Sequence, residues 1–161
     1  MKRSDMDINT LLALHALYSD YAAVLDAREL DRWPLFFTDD GIYKLQSREN
    51  FDRGLPLATL AFESRGMLMD RVYGAAETIY HDPYVQRHIV GLPRLLGRDG
   101  DILRCEASYL VIRTKRDAMP EILSVGRYLD RVVPTPDGLR FAERLVVFDN
   151  DLIPNSIIDP I

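Results

Sequence analysis

The chain of 161 residues carries 25 acidic and 20 basic side chains, a formal net charge of −5, and 47% hydrophobic residues. This length and apolar content predict a single domain over residues 1–161 with a core of its own. The acidic balance argues against a nucleic-acid-binding protein, which needs a basic face to displace counterions from phosphates. One cysteine, no apolar signal core and no apolar run of ~20 residues predict a cytoplasmic protein with no membrane partner.

The first predicted element is an amphipathic helix over residues 8–25. Its inner face repeats at steps of three and four residues, as Ile8, Leu11, His15, Tyr18, Ala22 and Leu25, and is widened by Leu14, Leu17 and Tyr21. Asp7 is the expected N-cap, because its carboxylate can accept the free amides of the first turn. A short second helix is predicted near residues 28–32, ending before Pro34.

The middle of the chain is predicted to hold one strand and one more long helix. Asp39-Asp40-Gly41 forms a turn into a strand over residues 42–47. Residues 48–62 are predicted as a loop, because Gly54 and Pro56 interrupt every pattern there. A helix over residues 64–79 follows, with Ser64 as its cap and an apolar stripe of Leu68, Val72, Ala75 and Ile79.

Strands dominate the second half of the chain. We predict a broken strand over residues 86–96 and three strands over residues 102–114, 121–133 and 139–149. Leu103, Cys105, Ala107, Tyr109 and Val111 alternate with polar residues along the first of those three. In the last strand, Phe141, Leu145 and Val147 are expected to share a face with Glu143. An apolar tail, 153–161, is expected to be extended.

Helices first and strands afterwards predict an α+β fold, with N-terminal helices packed on a curved antiparallel sheet. The resulting cone has the shape of small enzymes such as scytalone dehydratase and ketosteroid isomerase. Such enzymes place an acid or base in the cone, and the candidates here are Asp26, Tyr43, His88, Tyr109 and Tyr128. The competing interpretation, which we favour, is that these residues form buried hydrogen bonds or face a partner.

The sequence provides no recognisable metal site. His81 and His88 are seven residues apart without a neighbouring cysteine, and His15 lies on the helical stripe, where a core or interface histidine is the common outcome. The Cys-x-His and Cys-x-x-His pairs of a Rieske cluster are missing, and Cys105 is predicted to be an inert packing residue. We therefore predict no catalytic, cofactor-binding or metal-binding residue in this chain.

Several stretches, taken in order, resemble the small subunits of Rieske-type aromatic-ring-hydroxylating dioxygenases. They are Tyr21-Ala-Ala-Val-Leu-Asp26, Leu30-Asp-Arg-Trp-Pro-Leu-Phe-Phe37, Asp40-Gly-Ile-Tyr43, Met67-Leu-Met-Asp-Arg71, Arg87-His88, Gly126-Arg-Tyr-Leu-Asp130, and Asp149-Asn-Asp-Leu-Ile-Pro-Asn-Ser156 before Pro160-Ile161. Together they span nearly the whole chain. The segments from Tyr80 to Tyr84 and from Arg87 to Pro93 look most like the small subunits of salicylate 5-hydroxylase and terephthalate dioxygenase.

This resemblance implies a non-catalytic subunit of an oxygenase that acts on an aromatic carboxylate. It implies a hexamer of three large and three small subunits, in which the small chains also contact each other as a trimer. The large subunit would carry the Rieske [2Fe–2S] cluster and the mononuclear Fe(II), and NADH would supply electrons through a reductase, often with a ferredoxin. The alternative is a free-standing dehydratase or isomerase with an acid–base pocket; a third is a ligand-binding module.

Two features are predicted to serve subunit contacts. The apolar tail residues 157–161 are hard to bury in a small monomer, so part of the tail is expected at an interface. Arg71, Arg87, Arg127 and Asp130 are the expected ion-pair residues at or near that interface, since arginine is favoured there for its fixed fork of donors.

Overall fold

The computed structural model describes residues 7–79, 83–152 and 157–161. The helices are α1 Ile8–Asp26, a 3-10 helix Leu30–Phe36, α2 Arg48–Asp52 and α3 Arg65–Glu77. The strands are β1 Phe37–Ser47, β2 Leu60–Phe62, β3 Tyr84–Val90, β4 Arg94–Asp99, β5 Ile102–Lys115, β6 Glu121–Thr135 and β7 Gly138–Phe148. In the described part of the chain, the helices fall short of the length and apolar character that a membrane span requires.

One open, curved sheet carries the architecture, in the order β2-β1-β7-β6-β5-β3, with β4 also pairing β5. The predicted α+β fold with helices packed on one sheet is confirmed. The prediction of a purely antiparallel sheet is wrong, because β1 pairs β7 in parallel. Five strands, β2 to β6, lie between β1 and β7 along the chain, which gives the long connection that parallel neighbours require.

The caps predicted for the two long helices are confirmed. Asp7 accepts the Thr10 backbone amide at 3.0 Å, and Ser64 accepts that of Met67 at 3.3 Å. The inner face of α1 is also as predicted from Leu14 to Leu25. His15, however, is exposed, which excludes the core alternative for this histidine and leaves the interface alternative as a prediction.

Two local predictions fail because tertiary packing overrides the breaker residues. Residues 48–62 are not all loop: Ser47 caps α2, and β2 adds to the edge of β1. The second helix does not end before Pro34 but includes it in a 3-10 turn, where Pro34 and Trp33 are both buried. Burial of the indole outweighs the one hydrogen bond that proline cannot make.

The predicted face of the last strand is wrong after Phe141. A bulge in β7 lets Phe141 pair with Val132 while Glu143 pairs with Arg131, so Ala142 is an extra residue. An extra residue reverses the alternation of side chains beyond it. As a result Arg144, Val146 and Phe148 point into the core with Phe141, and Leu145 lies on the other face.

The core lies between the sheet and the layer of α1, α3 and the 3-10 helix. It is rich in aromatic side chains, and Trp33, Phe37, Tyr43, Tyr128 and Phe141 have no exposed surface. The predicted alternation along β5 is confirmed, because Cys105, Tyr109 and Val111 are all buried in this core. The interior of the cone is thus packed with side chains of large volume.

Candidate functional site

A buried ion pair stands at the centre of the cone. Arg144 donates from Nε to Asp130 Oδ1 at 3.0 Å and from Nη2 to Asp130 Oδ2 at 2.8 Å. Both side chains have 0% exposure. The Tyr18 hydroxyl donates a third, very short hydrogen bond to Asp130. Such a fork-to-carboxylate pair is the strong, directional form of charged hydrogen bonding.

Aromatic rings enclose the Arg144 guanidinium. Its central carbon lies 4.8 Å from the ring centre of Tyr18, 4.1 Å from those of Tyr21 and Tyr128, and 3.9 Å from that of Phe141. These contacts supply cation–π stabilisation in a desolvated place. The centre of the cone, where a ligand pocket was conceivable, therefore holds the protein's own cation and its counter-ion.

The three tyrosines proposed as acid–base candidates are core residues. Tyr43, Tyr109 and Tyr128 are between 0% and 2% exposed. Tyr109 and Tyr128 stack at 4.5 Å, and the Tyr109 hydroxyl pairs with that of Ser124 at 2.9 Å. Burial raises the pKa of each tyrosine above its ordinary value. The three phenols stay neutral, which makes them poor proton carriers near neutral pH.

The remaining candidates, Asp26 and His88, come together where the end of α1 meets β3. Asp26 Oδ1 lies 2.7 Å from His88 Nδ1, and the carboxylate also accepts the His88 backbone amide at 3.0 and 3.1 Å. Arg87 approaches the same carboxylate at 3.5 Å. Both residues of the pair border a cleft of about 410 Å³ between α1 and β3.

The Asp26–His88 pair can act in two ways. A carboxylate on Nδ1 holds a histidine with Nε2 free to accept a proton, as acid–base enzymes require, and His88 Nε2 has no partner among the described residues. But the His88 ring has 0% exposure, so a substrate in the cleft could not reach it. The same bonds join the last residue of α1 to the backbone of β3, and the geometry favours this role as a clamp.

Comparison with known proteins places this arrangement in a family. Residues 6–145 match the SnoaL-like domain family. The chain is 33% identical to the small subunit of anthranilate 1,2-dioxygenase from Burkholderia cepacia over the full length of both. The chain belongs to the SnoaL-like family, among the small subunits of aromatic-ring-hydroxylating dioxygenases. It is thus of a kind that forms part of multicomponent oxidoreductases.

Two further relatives agree with this assignment. The beta 2 subunit of the terminal oxygenase component of terephthalate 1,2-dioxygenase, from a Comamonas species, is 30% identical over 86% of this chain and 90% of its own. A solved structure named as the beta subunit of an aromatic-ring-hydroxylating dioxygenase, from Novosphingobium aromaticivorans, has 33% identity and a TM-score of 0.87. That match covers 95% of this small subunit and 97% of the neighbour.

The described residues of this small subunit do not form an iron or iron–sulfur centre. Within residues 7–79, 83–152 and 157–161, no three His, Cys, Asp or Glu side chains lie close enough together to hold a metal ion. Cys105 is buried, and burial raises the pKa of its thiol to about 12. A protonated thiol is neither a metal ligand nor a nucleophile. His81 lies outside the described residues.

All four predicted interface residues have partners within the small subunit itself, but they differ in how far they are buried. Asp130 pairs with Arg144, and Arg71 donates to the carbonyls of Ile157 and Ile158 at 3.1 and 2.6 Å. Asp130 is fully buried in its pair with Arg144 and cannot pair across an interface, whereas the expectation for Arg71 stays a prediction. Arg87 and Arg127 also have partners in this chain, Asp26 at 3.5 Å and Glu106 at 3.7 Å, but their side chains are 71% and 39% exposed and can still reach another subunit.

The prediction for the apolar tail is also wrong where the structure describes it. Residues 157–161 are all buried, and Ile157, Ile158 and Ile161 belong to the core of the same chain. Sequence reasoning also missed Arg144, the residue at the centre of the cone. The only indication in the sequence was that Arg144 lies within an apolar strand. Because the bulge at Ala142 reverses the alternation of side chains, the sequence did not show that Arg144 points into the core.

Proposed function

We propose that this chain is the non-catalytic, structural subunit of an oxygenase that hydroxylates an aromatic carboxylate in aromatic catabolism. Two relatives, at 33% and 30% identity, are subunits of enzymes named for anthranilate and terephthalate, which are both aromatic carboxylates. The full-length identity of 33% with a small subunit is the observation that carries the assignment.

The interior of the cone supports a structural role. An acid–base enzyme of this shape needs an open pocket with a reachable proton carrier. Here Arg144, Asp130 and the surrounding rings fill the centre, and the His88 ring is fully covered. These groups hold helices against the sheet, which is what a scaffold requires.

The redox centres are proposed to lie in a partner. The large subunit would carry a Rieske [2Fe–2S] cluster and a mononuclear Fe(II), and electrons would come from NADH through a reductase. Three large and three small subunits would assemble, with the small subunits in contact with each other as a trimer. The proposed location is the cytoplasm, where an unpaired cysteine such as Cys105 stays reduced.

The outer face of the sheet supports assembly with other chains. Ile89, Leu110 and Val125 lie side by side across β3, β5 and β6, and Ile112 pairs with Ile122 in the next row. Ile89 and Ile122 are 53% and 61% exposed. A contiguous apolar patch on a soluble protein commonly marks a contact with a partner.

Co-expression with a large Rieske subunit of this oxygenase class tests the proposal. The expected product is a complex of both chains whose mass, measured by light scattering after gel filtration, fits three of each. With its reductase it should oxidise an aromatic carboxylate. Failure of the two chains to associate would contradict the proposal.

A pair of variants separates the scaffold from the acid–base enzyme. In the complex, Asp26→Asn should leave kcat within about twofold of the parent, because Asp26 would serve only to clamp α1 to β3. Its melting temperature should fall, whereas that of the matched control Asp20→Asn, an exposed residue of the same helix, should not. Loss of kcat by orders of magnitude in a fully assembled Asp26→Asn complex would favour the acid–base alternative.

A further inference from the structure

The last described segment, residues 157–161, lies in the core without joining the sheet. All five residues are buried, with Ile157, Ile158 and Ile161 between 1% and 8% exposed. Among the described residues, no backbone-to-backbone hydrogen bond joins this segment to the rest of the chain. Side chains of other elements hold it instead, which is how a receptor holds a bound peptide.

Two tyrosines hold the end of the segment. The Ile161 amide donates to the Tyr43 hydroxyl at 3.0 Å. The Ile161 carbonyl oxygen accepts from the hydroxyls of Tyr43 at 3.2 Å and Tyr21 at 3.1 Å. Trp33 Nε1 donates to the Tyr21 hydroxyl at 3.1 Å, which fixes the direction in which Tyr21 donates. Side chains thus provide the hydrogen-bond partners of both the amide and the carbonyl oxygen of Ile161.

Two arginines hold the other end. Arg71, on α3, donates to two successive carbonyls, those of Ile157 and Ile158. Arg28 pairs with the carboxylate of Asp159 at 3.2 Å, and the Asp159 side chain is 1% exposed. Asp159 also lies near Tyr84. Burial of Tyr84 is the main cause that raises the pKa of Tyr84 to about 12, and the negative charge of Asp159 is the second.

The backbone at Arg28 has an unusual conformation for a residue that makes this contact. The amides of Arg28 and Glu29 bond back to the carbonyls of Leu25 and Val24, both at 3.0 Å. This pair of bonds is the Schellman motif, whose left-handed residue is usually glycine. Here that residue is an arginine with φ of 55°. The strained position carries a long cationic side chain that reaches Asp159.

We propose that Tyr21, Arg28, Tyr43 and Arg71 form a peptide-binding site that the chain's own residues 157–161 fill. Its ligand class is a short apolar peptide with an acidic side chain at the third position, as in Ile-Ile-Asp-Pro-Ile. The isoleucines pack in the core, and Arg28 pairs with the acidic side chain. Arg71 donates to the carbonyls of the first two residues, and the two tyrosines bind the backbone of Ile161. A site built in this way accepts the same segment in trans when its own copy is removed.

The test uses the chain ended at Ser156 and a synthetic peptide of residues 157–161. Calorimetry should show saturable one-to-one binding, and the peptide should raise the melting temperature of the shortened chain with increasing concentration. A peptide with Asp159→Ala, and a shortened chain with Arg28→Ala, should each bind about tenfold more weakly, since each loses a charged hydrogen bond. A scrambled peptide should not bind. A folded shortened chain that ignores the peptide would overturn the proposal.

Hydrogen exchange on the whole chain decides the matter if the shortened chain does not fold. The segment should detach while the sheet stays intact, so its amides should exchange faster than those of β5 and β6. Arg71→Ala should speed exchange in residues 157–161 by about tenfold and leave β5 and β6 unchanged. Exchange of the segment only together with the sheet would show that it is an ordinary part of the core.

Discussion

Arg144 and Asp130 place two charges at the driest point of the molecule. Taking both from water is costly, and their mutual attraction repays this only when the geometry is close and the other polar atoms are satisfied. The two-bond fork, the Tyr18 hydroxyl and the four rings around the guanidinium meet most of that requirement. The pair thus fixes the relative positions of α1, β6 and β7.

Replacing one member of the pair should destabilise the protein more than replacing both. Arg144→Met or Asp130→Asn leaves one charge buried without its partner, and each should cost about 3–5 kcal/mol of unfolding free energy. The double variant leaves neither charge. In urea unfolding, the double variant should therefore be at least as stable as the less stable single variant. A double variant whose loss of unfolding free energy equals the sum of the two single losses would contradict this account.

Single residues were predictable where one local rule decides their role. Asp7 and Ser64 were identified as caps because a side-chain acceptor before an apolar repeat has one common use. Cys105 was identified as buried from strict alternation along β5. Arg144 was missed because the bulge in β7 depends on pairing with β6, which the sequence of β7 alone does not reveal.

At the scale of elements, the end of α1 unites a local motif with a distant contact. Arg28 occupies the left-handed position after the helix and pairs with Asp159, 131 residues away. The motif ends the helix, and the ion pair brings the last segment of the chain against it.

Two substitutions at Arg28 separate backbone strain from the ion pair. Both Arg28→Gly and Arg28→Ala lose the bond to Asp159, but only glycine adopts the left-handed conformation without strain. The glycine variant should therefore be more stable than the alanine variant by about 1 kcal/mol in urea unfolding. Equal stability, or a more stable alanine variant, would mean that the motif carries no strain.

Gly126 marks the closest approach of β6 and β7. A Cβ there would lie 2.0 Å from the Val147 carbonyl oxygen and 2.9 Å from Phe148 Cα, and both are backbone atoms. Gly126→Ala should lower the unfolding free energy by about 3 kcal/mol, the upper end of the usual cost of overpacking, because the added methyl group meets the backbone of a paired strand. The control Gly91→Ala meets its nearest atom at 3.5 Å and should stay within about 1 kcal/mol of the parent. A stable Gly126→Ala protein would rule out this contact.

The sequence determined most elements and left their assembly open. Helices α1 and α3 and strands β5, β6 and β7 lie within a few residues of their predicted bounds, because each has a long, regular period. The parallel pairing of β1 with β7 and the short α2 and β2 were missed. Pairing between the first and last strands depends on the whole chain, and short elements carry too few repeats to be recognised.

For the whole molecule, the most distinctive property is the number of neutral phenols in the core. Burial raises the pKa of five tyrosines above the ordinary value of 10.0, namely Tyr18, Tyr21, Tyr43, Tyr109 and Tyr128. The folded state keeps these protons above pH 10, whereas the unfolded chain releases them. Stability must therefore fall as pH rises through this range.

Alkaline unfolding measures this effect. Each buried tyrosine should remove about 1.4 kcal/mol of stability per pH unit above about pH 10, and Cys105 adds to the slope from about pH 9. Urea unfolding at several pH values, with tyrosinate absorbance as the probe, should show ionisation and unfolding together. Tyr73 is 67% exposed, so the test is made in a Tyr73→Phe background. Ionisation of the five buried tyrosines in the folded protein near pH 10, at unchanged stability, would contradict the packing described.

The sequence identified the candidate residues of the site but not how they are arranged in space. Asp26, Tyr43, His88, Tyr109 and Tyr128 were selected by residue type and by the expected cone. Only the three-dimensional arrangement separates three core phenols from an Asp–His clamp. Arg144, its partner Asp130 and the surrounding rings fill the interior of the cone. This filled interior is the physical reason to regard the small subunit as a scaffold.

The central claim is that this chain supplies structure and its large partner supplies chemistry. Metal analysis and turnover of an aromatic carboxylate, measured on the separately purified chain and on the complex, test it most directly. The account predicts no bound iron and no turnover for the chain alone, and both for the complex supplied with NADH and its reductase. Stoichiometric iron in the separate chain, or steady turnover by it unaided, would contradict the account.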